Sequence, residues 1–166
     1  LGQAIIPMPG GCQIGSRPID THLEAFRVLG AAIDFDREAG LYQIAFAKNS
    51  AREVVLREAS VTATENLLMF GARYPLIMKI AAQEPHVVCL GNFLQALGAK
   101  ISGLGHHRIE LASAVSEPEG EIRFSLVSDE VEMGTFAILG AATKGRLAVK
   151  GFIAEHLNLV VEKLRE

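Results

Sequence analysis

The sequence predicts an α+β chain assembled from a repeated βαββαβ-type unit. Two observations carry this. Short segments with period-two alternation interleave with longer ones whose apolar residues recur every three to four positions, the patterns of strands and helices respectively. In addition, the turn Leu29-Gly30-Ala31 recurs as Leu97-Gly98-Ala99, and the Thr62/Glu65 capping spacing recurs as Asp129/Glu132, each displaced by an interval in the upper sixties. Such a unit buries one sheet face under two helices, so neighbouring units close a shared core by packing helix on helix.

The elements follow in order. Gln3 to Met8 is extended, and a glycine-rich stretch, Pro9 to Asp20, delivers the chain into a first helix. Pro18 suits the first position of that helix, Ile19, Leu23, Phe26 and Leu29 form its apolar face, and Gly30 stops it. Ala31 to Asp36 and Leu41 to Ala47 read as strands joined by a turn at Arg37 to Gly40, and Arg52 to Arg57 as a third. Ser60 to Thr64 introduces a second helix, with Thr62 and Glu65 as its capping box and Leu67 to Phe70 behind them. Leu76 to Ala81 is a strand; Pro85 then opens a third helix with the face Val87, Leu90, Leu94 and Leu97, closed by Gly98. From there the order recurs. Ala99 to Ser102 and Arg108 to Ala112 pair around a Gly-His-His turn, Glu121 to Val127 is a strand, and a helix runs from Gly134 to Thr143. A strand at Arg146 to Lys150 and an amphipathic helix from Ala154 complete the pattern. Leu1 enters a strand in its middle and the last helix has no Gly or Pro stop, so both ends read as cut.

Composition narrows the function classes. With 49% hydrophobic and 21% charged residues the chain has the make-up of a globular core, not of a disordered segment. The net charge is −3, the basic residues are scattered and aromatic residues are few, which gives nucleic-acid binding no support. Charges and glycines interrupt every apolar run short of the roughly 18 residues of a membrane span. Two cysteines, Cys12 and Cys89, fall far below the density of a secreted disulfide scaffold, so a reducing, cytoplasmic setting is expected.

The glycine-rich stretch holds the best candidate chemistry. Gly10, Gly11 and Gly15 let the backbone approach a ligand closely. Arg17, five residues after Cys12 and beside a helix start, makes a seat for a phosphate or carboxylate, and the same field lowers the pKa of a neighbouring thiol. Cys12 therefore reads as a reactive cysteine beside an anion site, with an ordinary thiol as the bland alternative. His22 lies near the start of the first helix, on the side of the Cys12 loop. His106 and His107 read as hairpin-tip residues, Cys89 as a small core residue of the third helix, and Glu84-Pro85-His86 as a helix start. No metal-ligand spacing is found.

Four motifs taken together carry a resemblance. Pro-Gly-Gly-Cys-x-Ile-Gly-x-Arg-Pro-Ile-Asp-x-His at 9–22, Ser60-Val61-Thr62-Ala63-Thr64-Glu65-Asn66-Leu67, Glu84-Pro85 followed by Asn92-Phe93-Leu94-x-x-Leu97-Gly98-Ala99-Lys100-Ile101, and Glu132-x-Gly134-Thr135-Phe136 resemble the UDP-N-acetylglucosamine 1-carboxyvinyltransferases, a branch of the enolpyruvyl transferases. The resemblance covers essentially the whole chain. It implies an inside-out α/β barrel of repeated units, incomplete here at both ends. Residues 1–127 would form most of one domain, and 128–166 the crossover and the start of a second.

It also implies transfer of the enolpyruvyl group of phosphoenolpyruvate to the 3′-hydroxyl of UDP-N-acetylglucosamine, with release of phosphate and no cofactor. Cys12 matches the family's general acid, and Arg17, Pro18, Ile19, Asp20 and Thr21 match a segment lining the nucleotide. Glu58, Ala59, Ser60 and Val61 match a second such segment, and Gly10, Gly11 and Gly15 become hinges of a closing loop. Many family members carry Lys where Glu58 stands and Arg where Glu130 stands; a carboxylate repels a diphosphate unless it points away. The remainder of the same enzyme is expected to complete the site, and this segment alone to be inactive. A non-catalytic domain that binds a nucleotide sugar or a partner protein is the alternative from a different class. A transferase acting on shikimate phosphate is a third, which the Cys12 loop disfavours.

Overall fold

The computed structural model describes residues 2–8, 18–46, 51–113, 115 and 120–166. The chain divides into two compact units, residues 1–122 and 123–166.

In the first unit, β1 (Gln3–Pro7), α1 (Asp20–Val28), β2 (Ala31–Asp36) and β3 (Leu41–Phe46) form a three-stranded antiparallel sheet in the order β1-β3-β2. Here β3 inserts between two strands joined by a helical crossover, and its register runs Ile5 opposite Gln43 on one side and Ile33 opposite Ile44 on the other. β4 (Glu53–Val55), α2 (Val61–Gly71), β5 (Leu76–Lys79), α3 (Pro85–Ala96), β6 (Lys100–Ser102) and β7 (Arg108–Ser113) form a four-stranded sheet in the order β4-β5-β7-β6. The β1-β3-β2 arrangement thus recurs as β5-β7-β6, with α1 answered by α3. The repeat itself has the order βαβαββ instead of the expected βαββαβ. β4 pairs in parallel with β5 across α2, Val54 opposite Met78, and parallel pairing requires a crossover of about a dozen residues.

The turn signals at Gly30 and Gly98 act as expected: both have positive φ, 101° and 92°, which removes the steric cost a side chain would meet there. α2 starts earlier than its capping box predicted. Ser60 is the N-cap, its Oγ accepting from the Ala63 amide at 3.3 Å, while Thr62 lies inside the helix. β5 ends at Lys79 and not at Ala81, because Ile80 takes φ 60° and leaves the ladder.

The core is made where α1, α2 and α3 meet the inner face of the four-stranded sheet. Leu29, Val54, Leu56, Leu67, Leu68, Leu76, Met78, Val87, Ile109 and Leu111 are all buried there. An aromatic cluster ties the first sheet to the second: Phe26 of α1, Phe46 of β3 and Phe70 of α2 lie with ring centroids 5.6–5.9 Å apart. β1, by contrast, is exposed along its whole length.

The second unit holds α4 (Glu130–Ala142), a 3₁₀ turn at Ala154–Leu157 and α5 (Asn158–Arg165). Asp129 caps α4, one Oδ1 accepting from the amides of Val131 and Glu132, so the helix begins four residues before the predicted Gly134. Gly134 packs against Leu157: a Cβ at Gly134 would stand 3.2 Å from its Cδ2. Two expected strands are absent. Glu121 to Val127 keeps its alternation, with Ile122 and Phe124 half-buried and Arg123 and Ser125 exposed, but the segment spans the division between units and neither sheet includes it. Arg146 to Lys150 is irregular because the second unit contains no sheet for it to join. Among the described residues no helix is long and apolar enough to cross a membrane.

Candidate functional site

Gly10, Gly11, Cys12, Gly15 and Arg17 lie outside the described residues. The remaining sequence-selected residues fall at two helix starts that the fold brings side by side, those of α1 and α2.

α1 begins where the Ile19 carbonyl accepts from the amides of His22 and Leu23, both at 3.0 Å. Ile19 itself has φ −108° and ψ 14°, which is not helical, so Pro18 precedes the helix and does not occupy its first position. Pro18 and Asp20 are exposed, whereas Thr21 is buried and directed at the neighbouring segment. That segment, 56–60, leaves β4 and turns into α2: the Ser60 amide donates to the Glu58 carbonyl at 2.8 Å, and Ser60 then caps the helix. Below it, buried Thr64 donates its hydroxyl to the Ser60 carbonyl at 2.8 Å and accepts from the Ala82 amide at 2.9 Å, which anchors the start of α2 to the chain after β5.

Three side-chain bridges join the two segments. Thr21 Oγ1 donates to Glu58 Oε1 at 3.1 Å. His22 bridges to α2 through both ring nitrogens, Nε2 with Thr62 Oγ1 at 3.1 Å and Nδ1 with Asn66 Nδ2 at 2.8 Å. Arg57 Nε pairs with Glu24 Oε2 at 2.7 Å on the exposed flank. An amide nitrogen can only donate, so Nδ1 accepts and the ring carries its proton on Nε2, from which it donates to Thr62. Burial lowers the His22 pKa below its ordinary value, which keeps the imidazole neutral near pH 7.

The geometry therefore joins Thr21 to Glu58 and His22 to Thr62 and Asn66, and sets Pro18, Ile19 and Asp20 on one side of that junction and Ala59, Ser60 and Val61 on the other. Thr62 and Asn66 are partners that sequence reading missed. Their spacing of four on one helix puts them on a common face, but nothing local says that a histidine forty residues away meets it. His107, expected to be a solvated hairpin residue, also has a structural contact: its Nδ1 lies 3.0 Å from the Ala81 carbonyl. Cys89 is half-buried in α3. Among the described residues, no group of three His, Cys, Asp or Glu side chains could hold a metal ion.

Comparison with known proteins agrees with the motifs. The family model of EPSP synthase (3-phosphoshikimate 1-carboxyvinyltransferase) matches residues 1–166. The chain is 40% identical over 168 residues to UDP-N-acetylglucosamine 1-carboxyvinyltransferase 3 of Caldanaerobacter subterraneus subsp. tengcongensis, covering 100% of this chain and 39% of the relative. It is 37% identical over 166 residues to enzyme 1 of that name from Carboxydothermus hydrogenoformans, covering 99% and 39%, and 37% identical over 168 residues to enzyme 1 from Staphylococcus aureus strain N315, covering 100% and 39%. The chain thus spans 39% of the length of each of these relatives. Matched from its first residue to its last, the chain belongs to the enolpyruvyl transferase family, on the UDP-N-acetylglucosamine 1-carboxyvinyltransferase side of it.

Proposed function

We propose that the protein containing this chain transfers the enolpyruvyl group of phosphoenolpyruvate to the 3′-hydroxyl of UDP-N-acetylglucosamine, an early step of peptidoglycan precursor synthesis in the cytoplasm. The observation that carries this is the junction of the two segments matched to the nucleotide site, Arg17–Thr21, described from Pro18 onward, and Glu58–Val61, through the Thr21–Glu58 bond and the His22 bridge. The sugar oxygen adds to C2 of phosphoenolpyruvate while a proton goes to its C3. The tetrahedral adduct then loses a C3 proton and inorganic phosphate. Cys12 delivers the first proton, a role suited to a thiol whose pKa is set near the working pH. Arg17 contacts the phosphate-bearing ligand, Gly10, Gly11 and Gly15 are the hinges of its loop, and the rest of the enzyme completes an inside-out barrel and the site.

Phosphate release by the complete protein, and a mass increase on Cys12 after treatment with fosfomycin in the presence of the sugar nucleotide, are the expected results. Arg17→Ala should lower kcat/KM by about 1–3 kcal/mol in activation terms, as expected for one charged hydrogen-bonding contact. Unchanged mass and wild-type kinetics would refute the assignment. One feature favours a second reading, a nucleotide-sugar-binding domain without chemistry: Glu58 places a carboxylate in a segment matched to a diphosphate-bearing ligand. Calorimetric binding of UDP-N-acetylglucosamine with no phosphate release would select it.

A further inference from the structure

Three bridges hold the starts of α1 and α2 together, and they differ in what they can fix. The Arg57–Glu24 pair is exposed at both ends, 65% and 40%, so water and salt screen it. Thr21–Glu58 is a single bond to an exposed carboxylate that can rotate. His22 alone is half-buried and engaged on both sides of a planar ring, which leaves its side-chain torsions no freedom without breaking a bond. Its two partners sit on successive turns of α2, so the ring sets height as well as distance between the helices. The two matched segments end at this bridge: Pro18–Thr21 stops one residue before His22, and Glu58–Val61 one residue before Thr62.

We propose that His22, bonded between Thr62 and Asn66, is a positioning residue that fixes the spacing of the two nucleotide-facing segments and so sets the affinity for the sugar nucleotide. This rests on the function proposed above and deepens it. His22 itself takes no part in proton transfer. Its effect falls on binding of the nucleotide, not on the chemistry of phosphoenolpyruvate.

The test uses the complete protein, with Asn66→Leu, Thr62→Val and Thr62→Ser, and with His22→Ala alone and combined with Asn66→Leu. The expected result is a rise of about five- to tenfold in KM for UDP-N-acetylglucosamine for Asn66→Leu and Thr62→Val, the loss attached to one or two hydrogen bonds. Under the same conditions kcat and the KM for phosphoenolpyruvate stay within about twofold, a split that general loosening of the fold would not produce. Thr62→Ser, which keeps the acceptor, restores the wild-type KM. The combined variant is no worse than His22→Ala, because without the imidazole Asn66 has no bridge left to lose. Unchanged KM in Asn66→Leu and His22→Ala, or an equal loss for both substrates, overturns the proposal.

Hydrogen exchange in peptides covering 18–24 and 57–63 of the ligand-free protein separates this claim from the reaction assigned. If wild type turns nothing over but exchange rises in Asn66→Leu and not in Thr62→Ser, the positioning role stands and the reaction falls. If exchange is unchanged as well, both fall.

Discussion

Replacing Thr64 by valine tests whether one buried hydroxyl holds the start of α2 in place. Thr64 has no exposed surface, and Ala82, whose amide it accepts, is 1% exposed, so no water can take over the bond. Valine has nearly the same shape and a similar helix preference, which leaves the hydrogen bonds as the main change. The bond to the Ser60 carbonyl matters less, because that oxygen already accepts from the Thr64 amide at 3.0 Å. The Ala82 amide is the group left bare, at a cost of about 1–3 kcal/mol, only partly offset by the added methyl. Thr64→Ser keeps both bonds and gives up a methyl group, costing about 1 kcal/mol. The expected order is therefore wild type, then Ser, then Val, with the urea midpoint of Val lower by about 1 M for a net loss near 2 kcal/mol. A valine variant as stable as wild type, or more stable than the serine variant, would refute the assignment of the anchor to the hydroxyl.

Three further outcomes are expected. Gly103 in the β6–β7 hairpin has φ +82°, and a Cβ there would stand 2.0 Å from the Arg108 carbonyl oxygen; Gly103→Ala should cost about 2–4 kcal/mol in urea unfolding, and a midpoint within error of wild type would sink the claim. Lys144, at φ 49° just past the end of α4, is exposed and occupies a site that glycine favours; Lys144→Gly should raise the stability of the second unit by about 0.5–1 kcal/mol, and a fall in its melting temperature would count against it. Burial depresses the His22 pKa, so the folded state binds fewer protons there than the unfolded chain. The stability this contributes is complete above the unfolded value near 6.5 and is lost as pH falls from there through the folded value. His22→Gln should flatten the decline of stability between pH 7.5 and 5.5, and an equally steep decline in the variant would exclude His22 as its source.

Much of the fold was legible because its punctuation is local. Gly30 and Gly98 take backbone angles that other residues resist, and Pro85 does open α3, so these boundaries could be read without knowing any neighbour. Where the structure departed, a distant partner made the choice. Ser60 and Thr62 both qualify as caps on composition, and the anchoring of Thr64 to Ala82 goes with a helix that begins after Ser60. Period-two alternation made Glu121 to Val127 look like a strand, but a strand also needs a ladder, and alternation says nothing of one. The insertion of β3 between β1 and β2 was equally invisible, since pairing order leaves no mark on either strand alone. The junction was half legible: His22 could be placed near the site from its position, whereas Thr62 and Asn66 required the packing of α1 against α2.

Strand order also governs the timing of biosynthesis. β2 and β3 form a local hairpin, which closes in about 1–10 μs once both have emerged. Among the described residues β1 pairs with β3, and with β1 ending at Pro7 and β3 at Phe46 the interval before that partner is made lasts about 2–8 s at roughly 5–20 residues per second. In that interval α1 and β2 are the elements made among the described residues, and neither pairs with β1. Slow translation before Phe46 prolongs that unpaired interval, whereas a pause placed after it falls on a sheet whose three strands have all been synthesised.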